Sequence, residues 1–428
     1  MNYKIINAKL LVPGDNGLSE IVSKDLYIKD GQILAVGSSD RDLNDDFQII
    51  DAKNMLVMPG LINMHTHVYM TLFRGYADDI DFDNWLFGRI MPAEEKLSPE
   101  AAYASSMLGC MEMLKSGTTC FMDMHLFRGQ SCRAAKDMGM RAYIGRGLVG
   151  EDLYKDGYFR FEDSLCEMEQ YQSDLIKIVL SPHAIYTCSV KLYEQVVKEC
   201  QKHGLLMQTH LSESVNEIEN CYKKYGISPV ELLERTGFLN EKSTLAHCVQ
   251  LSEKDIEIIK NTGANVVTNP ASNSKLGNGF APINSMREAG VNICLGTDST
   301  ASNNTLNMFR EMGILSTIHK GVARSSVAAP AQFVLKCATS AAGRALGLEN
   351  KLGVIAPGAK ADIIFVNLRS ESLFPNNDII ASLCYSANGS EVESVMIDGK
   401  FVMKDRTFPG KDTEKIYADV QKAVDMYL

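Results

Sequence analysis

The chain has 428 residues, 45% of them apolar and 22% charged, which allows a sizeable buried core and is too much for one compact sandwich. Lys and Arg total 43 against 53 Asp and Glu, a net charge of −10 without a basic cluster, which argues against a nucleic-acid partner. The eleven cysteines are scattered, odd in number and never spaced CxxC, as reduced thiols are, so neither a disulfide framework nor a zinc-thiolate site is expected. The start "MNYKIINAKLLVPGDNG" lacks the apolar core of a signal peptide, and no apolar run is long enough to span a bilayer. A soluble cytoplasmic protein with no membrane partner is the expectation.

From the N-terminus, "YKIINAKLLVP", "DLYIKDGQILAVG" and "FQIIDAKNMLVMPG" read as strands, with Asp30-Gly31 as a hairpin turn. The C-terminal "ADIIFVNL" and "VESVMIDGKFVMKD" read the same way, with Asp398-Gly399 as a second turn. Both ends are expected to build one small β-sandwich domain, residues 1–57 plus 352–428. Between them, eight apolar runs alternate with amphipathic stretches. The runs are "LVMPGLINMHTH", "TTCFMDMH", "RAYIGRGLV", "LIKIVLSPH", "GLLMQTH", "STLAHC", "ANVVTNP" and "VNICLGTD". Helices are expected at 98–116, 189–203, 252–262 and 303–321. This alternation predicts an α/β fold, a (β/α)8 TIM-type barrel over residues 58–351.

The histidines fall where such a fold puts its chemistry. His65 and His67 end the first run, His125 the second, His183 the fourth, His210 the fifth and His247 the sixth, while Asp298 ends the eighth. Barrel active sites lie at the C-terminal ends of the strands, so these residues converge. His65 and His67, two apart on a strand, point to one side and can share one ion. An isolated H-x-H is as often a pair of ordinary polar residues; His210 and Asp298 at other strand ends tip the balance to a metal. Three histidines and one aspartate leave a position for water, as a catalytic site requires.

"PGLINMHTH", "QTHLSES", "LAHC" and "LGTDSTASNN" resemble, in order, the signatures of the amidohydrolase superfamily. "HTHVYMTLFRGYADDIDFDNWLFGRIMPAEEKL" and "NPASNSKLGNGFAP" are similar to its 5-methylthioadenosine/S-adenosylhomocysteine deaminases, and the likeness covers nearly the whole chain. The resemblance implies that His65, His67, His210 and Asp298 hold one divalent metal per subunit, zinc ahead of iron. Binuclear members offer a lysine at the tip of strand four; here that strand ends "IVLSPH", which favours a single ion. Catalytic roles go to Glu213, His247 and Asp298: Glu213 to protonate the base, His247 to hydrogen-bond the attacking oxygen, Asp298 to relay the proton.

The same resemblance implies a nucleoside pocket. Trp85, the only tryptophan, is expected on the sugar side, and Glu94 on the ribose hydroxyls. His183 is expected to face the substrate, and Arg146 at the end of strand three to bind ribose oxygens or a carboxylate. Arg160 is the candidate for an amino-acid tail. Two departures from the family pattern stand out: Ile185 replaces the usual proline, and Ser299-Thr300 replaces a glycine-alanine pair. A homo-oligomer is expected from the subgroup's habit.

The expected activity is metal-dependent hydrolytic deamination of an adenine nucleoside: 5′-methylthioadenosine, S-adenosylhomocysteine, adenosine or 5′-deoxyadenosine. The alternative is a free-base or triazine aminohydrolase, guanine- or cytosine-deaminase-like. A non-catalytic relative is disfavoured, because no ligand is missing. His125 is expected to be structural or pocket-lining, and "KLGNGF" a loop beside the mouth rather than a phosphate loop.

Overall fold

The computed structural model describes residues 2–37 and 47–428. Strands from both chain ends interleave. One sheet runs Gln32–Val36, Leu26–Lys29, Tyr3–Ile6, Gln48–Asp51, and the other Lys400–Met403, Val392–Ile397, Ile363–Asn367, Met55–Pro59, Lys9–Pro13, Ser19–Ser23. Ile5, Leu10, Leu26, Val57, Ile363 and Met396 share one core between these sheets. The two expected hairpin turns form, with φ of 49° and 79° at Asp30-Gly31 and 44° and 70° at Asp398-Gly399. They also touch: a Cβ on Gly31 would lie 2.9 Å from the Asp398 carbonyl oxygen, so glycine is required there.

The run "LVMPGLINMHTH" is two strands, not one. Met55–Pro59 belongs to the terminal sheet, pairing antiparallel with Ile363–Asn367, and Leu61–Thr66 begins the parallel part. A further difference is the chain's end, Thr413–Tyr427, which is a helix capped by Asp412. Its Val420 and Ala423 are buried in the cluster that contains Trp85 and Leu97.

Eight parallel strands follow: β1 (Leu61–Thr66), β2 (Thr118–His125), β3 (Arg141–Leu148), β4 (Ile176–Ile178, resumed at Ser181–Pro182), β5 (Met207–Leu211), β6 (Ser243–His247), β7 (Asn265–Thr268) and β8 (Ile293–Leu295). They form two sheets, ordered β4-β3-β2-β1 and β5-β6-β7-β8. Backbone contacts join the sheets at both ends. Leu180, beside β4, bridges Met207 of β5, and the Asp298 N–H beyond β8 donates to the His65 carbonyl of β1 at 2.9 Å.

A helix follows each strand: α1 (Pro99–Lys115), α2 (Gln130–Met138), α3 (Tyr158–Tyr171), α4 (Val190–His203), α5 (Val215–Tyr225), α6 (Glu253–Thr262), α7 (Ile283–Ala289) and α8 (Met308–Ala323). Their limits have local causes. Ser98, Ser189 and Ser252 cap α1, α4 and α6, the last with a capping box to Asp255, and Gly263 ends α6 in the left-handed region. Helix α8 starts at Met308 rather than 303, because Asn303 and Asn304 belong to the loop after β8 and Asn307 is the cap.

Each strand is buried on both sides, and side-chain alternation sorts its residues. Cys120, Met122, Tyr143, Val179, Val267 and Cys294 share one side. Phe121, Ala142, Ile144, Leu180, Leu245 and Val266 pack on the other side against the helices. All eleven cysteines are free, ten of them buried. Among the described residues, no helix is long and apolar enough to cross a membrane.

Candidate active site

A cavity of about 370 Å³ opens where the parallel strands end. His67, His183, His210, His247, Glu213, Asp298, Trp85, Glu94 and Arg160 line it. His65 lies just behind, its ring centroid 5.1 Å from that of His67 and 4.8 Å from that of His210. Residues far apart in sequence meet here because each ends a different strand or the loop after it.

The imidazoles are oriented by their Nδ1 atoms. His67 Nδ1 donates to the Met124 carbonyl and His210 Nδ1 to the His183 carbonyl, both at 2.8 Å. A carbonyl only accepts, so Nδ1 carries the proton in both rings and Nε2 presents a lone pair. Those two Nε2 atoms are 3.3 Å apart. Facing lone pairs repel, so an electrophile belongs between them. His65 follows the same pattern: Nδ1 faces Gln208 Oε1, and the buried Nε2 has no hydrogen-bond partner. His65 and His67 Nε2 point at Asp298 Oδ1, 3.6 and 3.5 Å away. This donor set fits a divalent metal ion, borderline-soft nitrogens with one hard carboxylate oxygen. No lysine lines the cavity among the described residues.

Asp298 is held from behind. Its Oδ2 accepts the hydroxyls of Ser272 at 2.6 Å and Ser302 at 2.7 Å, leaving Oδ1 for the histidines. Burial alone raises its pKa, but His247, His67, His65 and the Ser272 hydroxyl hold it down at about 2. Glu213 behaves oppositely. Burial pushes its carboxyl up to about 7 against the pull of His247, with Asp298 adding to the rise. Two carboxyls in one cavity are thus split into an anion and a group able to carry a proton near neutrality.

Glu213 is fixed at both ends. Glu217, in the first turn of α5, accepts the N–H groups of Ser212 and Glu213 at 2.9 and 2.8 Å. Asn278 donates to Glu213 Oε1 at 3.0 Å. His247 Nε2 lies 3.6 Å from Glu213 Oε2, and its Nδ1 is 2.8 Å from Asn273 Oδ1. Ser272 and Asn273 lie in the short helix Pro270–Lys275, and Asn278 lies in "KLGNGF", for which only a loop at the mouth is expected; the dense run of small hydroxyl and amide side chains in "NPASNSKLGNGF" is the available signal.

On the opposite wall, Trp85 donates from Nε1 to the Ala301 carbonyl at 3.3 Å. Glu94 is buried and accepts from the Tyr69 hydroxyl. Burial brings its carboxyl up to about 7, with Tyr69 and Arg160 pulling the other way. Arg160 also donates to the Gly147 carbonyl at 2.7 Å. His183 is kept neutral, burial lowering it to about 3. Ser299 lines the cavity, and Thr300 ties its loop to the Met70 carbonyl at 2.7 Å. Tyr69 and Tyr186 are lining residues that the sequence reading passed over; Tyr69 stands two residues beyond His67, inside a stretch already singled out.

Arg146 does not line the cavity. Side chains alternate on β3, so Gly147 faces the cavity and Arg146 faces the helices. There it pairs with Asp163 of α3 at 3.0 Å and donates to the Leu126 carbonyl. His125, its register partner on β2, points the same way, to Glu167 at 3.3 Å. The substrate contact expected of Arg146 is therefore replaced by an ion pair, and Arg160 is the arginine at the cavity.

Imidazole lone pairs around one anionic carboxylate, with a second carboxyl poised to donate, are the equipment of a metal-assisted hydrolase. The chain belongs to the amidohydrolase family, whose profile matches residues 56–402. It is 37% identical over 425 residues to a 5-methylthioadenosine/S-adenosylhomocysteine deaminase of Caldanaerobacter subterraneus subsp. tengcongensis, covering 99% of this chain and 98% of that one. It is 40% identical over 403 residues to a 5′-deoxyadenosine deaminase of Methanosarcina barkeri, with 94% and 92% covered. Among solved structures, a zinc-bound adenosine deaminase from Xanthomonas campestris matches with a TM-score of 0.93 at 30% identity, over 99% of this chain and 98% of that one.

Proposed function

We propose that this protein is a metal-dependent hydrolytic deaminase that converts adenine nucleosides and water to the inosine analogues and ammonia. The observation that carries the reading is geometric: the His67 and His210 Nε2 lone pairs face each other at 3.3 Å, His65 and His67 Nε2 lie 3.6 and 3.5 Å from Asp298 Oδ1, and Glu213 stands in the same cavity 3.6 Å from His247. The names of the full-length relatives supply the substrate class.

In this reading His65, His67, His210 and Asp298 hold one divalent ion, zinc ahead of iron. When bound, such an ion polarises water so that hydroxide is available near neutrality. Glu213 donates its proton to the ring nitrogen next to the amino-bearing carbon, making that carbon electrophilic. Asp298 accepts one proton of the attacking water and passes it to the departing amine, so ammonia leaves neutral, and the proton left on the added oxygen returns to Glu213 as the product carbonyl forms, restoring the acid. His247 hydrogen-bonds the adding oxygen. Trp85, His183, Glu94 and Arg160 position the nucleoside, with Glu94 on the ribose hydroxyls. Arg146 supports the wall behind Leu126.

The architecture in this reading is a (β/α)8 barrel over 58–351 with a β-sandwich from 1–57 and 352–428, of which residues 1 and 38–46 lie outside the described ones. Support comes from the Leu180–Met207 bridge, the Asp298–His65 hydrogen bond and the core shared by the terminal sheets. A cytoplasmic homo-oligomer completes the proposal.

The test is ammonia release by metal-replete protein from 5′-methylthioadenosine, S-adenosylhomocysteine, adenosine, 5′-deoxyadenosine, guanine and cytosine. Turnover of nucleosides alone is expected. Turnover of a base alone would reassign the enzyme to the free-base aminohydrolases and leave Glu94 without its ribose role.

A further inference from the structure

Asp298 has the costliest backbone among the four residues that converge as metal donors. Its φ is 59°, in the left-handed region, where a residue with a side chain stays only if its surroundings hold it. The peptide that enters it is held at both atoms. The Asp298 N–H donates to the His65 carbonyl at 2.9 Å, and the Thr297 carbonyl accepts from Asn303 Nδ2 at 2.7 Å. The carboxylate is held through Oδ2 by the hydroxyls of Ser272 and Ser302. Ser302 and Asn303 belong to the loop after β8, and Ser272 to the short helix Pro270–Lys275 after β7.

One buried side chain reaches both of these segments. Glu311, in the first turn of α8, does not line the cavity. Its Oε1 accepts from Asn303 Nδ2 at 2.8 Å, and its Oε2 accepts the Ala271 N–H at 3.2 Å. Asn303 follows Ser302, and Ala271 precedes Ser272. Glu311 is thus bonded to the chain neighbour of each hydroxyl that holds Asp298, and through Asn303 to the peptide that enters it. Both of its partners are donors. The Thr297 carbonyl fixes the Asn303 amide, because a flipped amide would set oxygen against oxygen. A carboxylate accepts from both partners, whereas a glutamine amide would set one N–H against another.

We propose that Glu311 is a positioning residue for the metal site: by tying the segments after β7 and β8 together, it sets the backbone and the carboxylate of Asp298 so that Oδ1 is left to the imidazoles. The proposal rests on the metal-dependent reading above. Glu311 touches neither substrate nor ion. It acts through Asn303 on the peptide before Asp298, and through the Ala271–Ser272 step on Oδ2. Without it the two segments are free to shift separately, and Asp298 loses support for its left-handed backbone and for its carboxylate at once. Removing a group that orients a metal ligand costs about ten- to a hundredfold in metal affinity.

The experiment measures the zinc dissociation constant by competition with a chromophoric chelator, beside melting temperature and ammonia release from 5′-methylthioadenosine. The proteins are the wild type, Glu311→Gln, Asn303→Ala and Ser316→Ala. Ser316 is the control: it is buried on the same helix and donates to the Ala329 carbonyl at 2.7 Å. Glu311→Gln should weaken zinc binding about ten- to a hundredfold, and Asn303→Ala, which cuts the step to the Thr297 carbonyl, about tenfold. Ser316→Ala should lower the melting temperature and leave zinc affinity unchanged. Added to Ser272→Ala, Glu311→Gln should cost less than it does alone, because one of its two paths to Asp298 is already cut. Zinc affinities of Glu311→Gln and Asn303→Ala within about twofold of the wild type would overturn the proposal and leave the deaminase reading intact. Full additivity with Ser272→Ala, or an equal loss of zinc affinity in Ser316→Ala, would also overturn it. A wild type that neither binds zinc nor releases ammonia would overturn the reading and the proposal with it. If Glu311→Gln fails to fold, Asn303→Ala carries the test.

Discussion

Two groups of charged side chains stand at the same level of the parallel strands, a few ångströms apart, and behave in opposite ways. On the cavity side, His65 and His183 are held neutral by burial, which lowers each to about 3, and His210 is pushed well below its usual value. On the helix side, burial also disfavours a charged His125, but the Glu167 carboxylate 3.3 Å away outweighs it and raises the pKa, while His125 in turn holds Glu167 below the usual carboxylate range. His65, His183 and His210 thus keep lone pairs for a ligand and His125 is tied up in an ion pair, while His247, which faces the cavity carboxyls Glu213 and Asp298, is raised despite its burial. The residue type does not decide between these fates. The nearest neighbours do: burial among other imidazoles for His65, His183 and His210, a carboxylate from α3 for His125, and the cavity carboxyls for His247.

Glu213→Gln should break the cavity side most severely. The amide keeps the Asn278 contact but has no proton of the right acidity to give, so kcat should fall about a thousandfold. Metal content, measured on the purified variant, should match the wild type. Turnover within tenfold of wild type would remove Glu213 as the acid. The matching experiment on the helix side is Glu167→Gln. It strands a buried charge-seeking His125, although the amide oxygen still accepts the Gly129 N–H, so it should destabilise the fold by about 3 kcal/mol with kcat unchanged. Thermal unfolding of the metal-bound protein reads this directly. Loss of kcat without loss of stability would show that the helix-side cluster takes part in turnover.

How far the sequence announced this division depends on the residue. The eight strand runs, the capped helices at 252–262 and 189–203 and both Asp-Gly turns are legible because periodicity, caps and turn chemistry are local signals. His65, His67, His210 and Asp298 could be placed together because each closes a separate run. Arg146 and His125 were placed near the mouth on the same logic. Their parity was nonetheless written in the sequence: in "RAYIGRGLV", Arg146 keeps step with Ala142, Ile144 and Leu148, which pack on the helices. Counting ends located the height of these residues and not the side. The partners lie on α3, Asp163 17 residues beyond Arg146 and Glu167 42 beyond His125, and no local pattern announces a contact of that kind. The same holds for Ser272 behind Asp298 and for the C-terminal helix beneath Trp85.

Glu94 sharpens the comparison at intermediate size. It is a cavity carboxyl that, unlike Glu213, has a tyrosine hydroxyl and an arginine beside it. Glu94→Ala should cost about ten- to a hundredfold in kcat/KM for a nucleoside, one or two hydrogen bonds to ribose hydroxyls, and should spare any residual free-base activity. Equal losses on both would make Glu94 a packing residue. The pH profile separates the two carboxyls further. Glu213 acts as its protonated form, which is present below about 7 and lost as pH rises through it, so kcat should fall about tenfold per unit on the alkaline side. A kcat that stays flat to pH 8.5 would contradict proton donation by Glu213.

Trp85 carries the smallest expected effect, and it touches both regions at once. One edge lines the cavity; the rest sits in a cluster with Leu97 and with Val420 and Ala423 of the C-terminal helix. Trp85→Phe keeps most of that packing and removes the hydrogen bond to the Ala301 carbonyl, a loss of about 1 kcal/mol. If the indole holds substrate equally in the ground and transition states, that loss is read in KM, about fivefold, with kcat unchanged. Because this is the only tryptophan in the chain, its fluorescence in the wild type reports binding without a label: a metal-loaded protein titrated with an inosine product analogue should show a saturable change. A variant with lowered melting temperature and unchanged KM, together with a wild type whose fluorescence ignores the nucleoside, would place Trp85 with the helix-side residues, as packing alone.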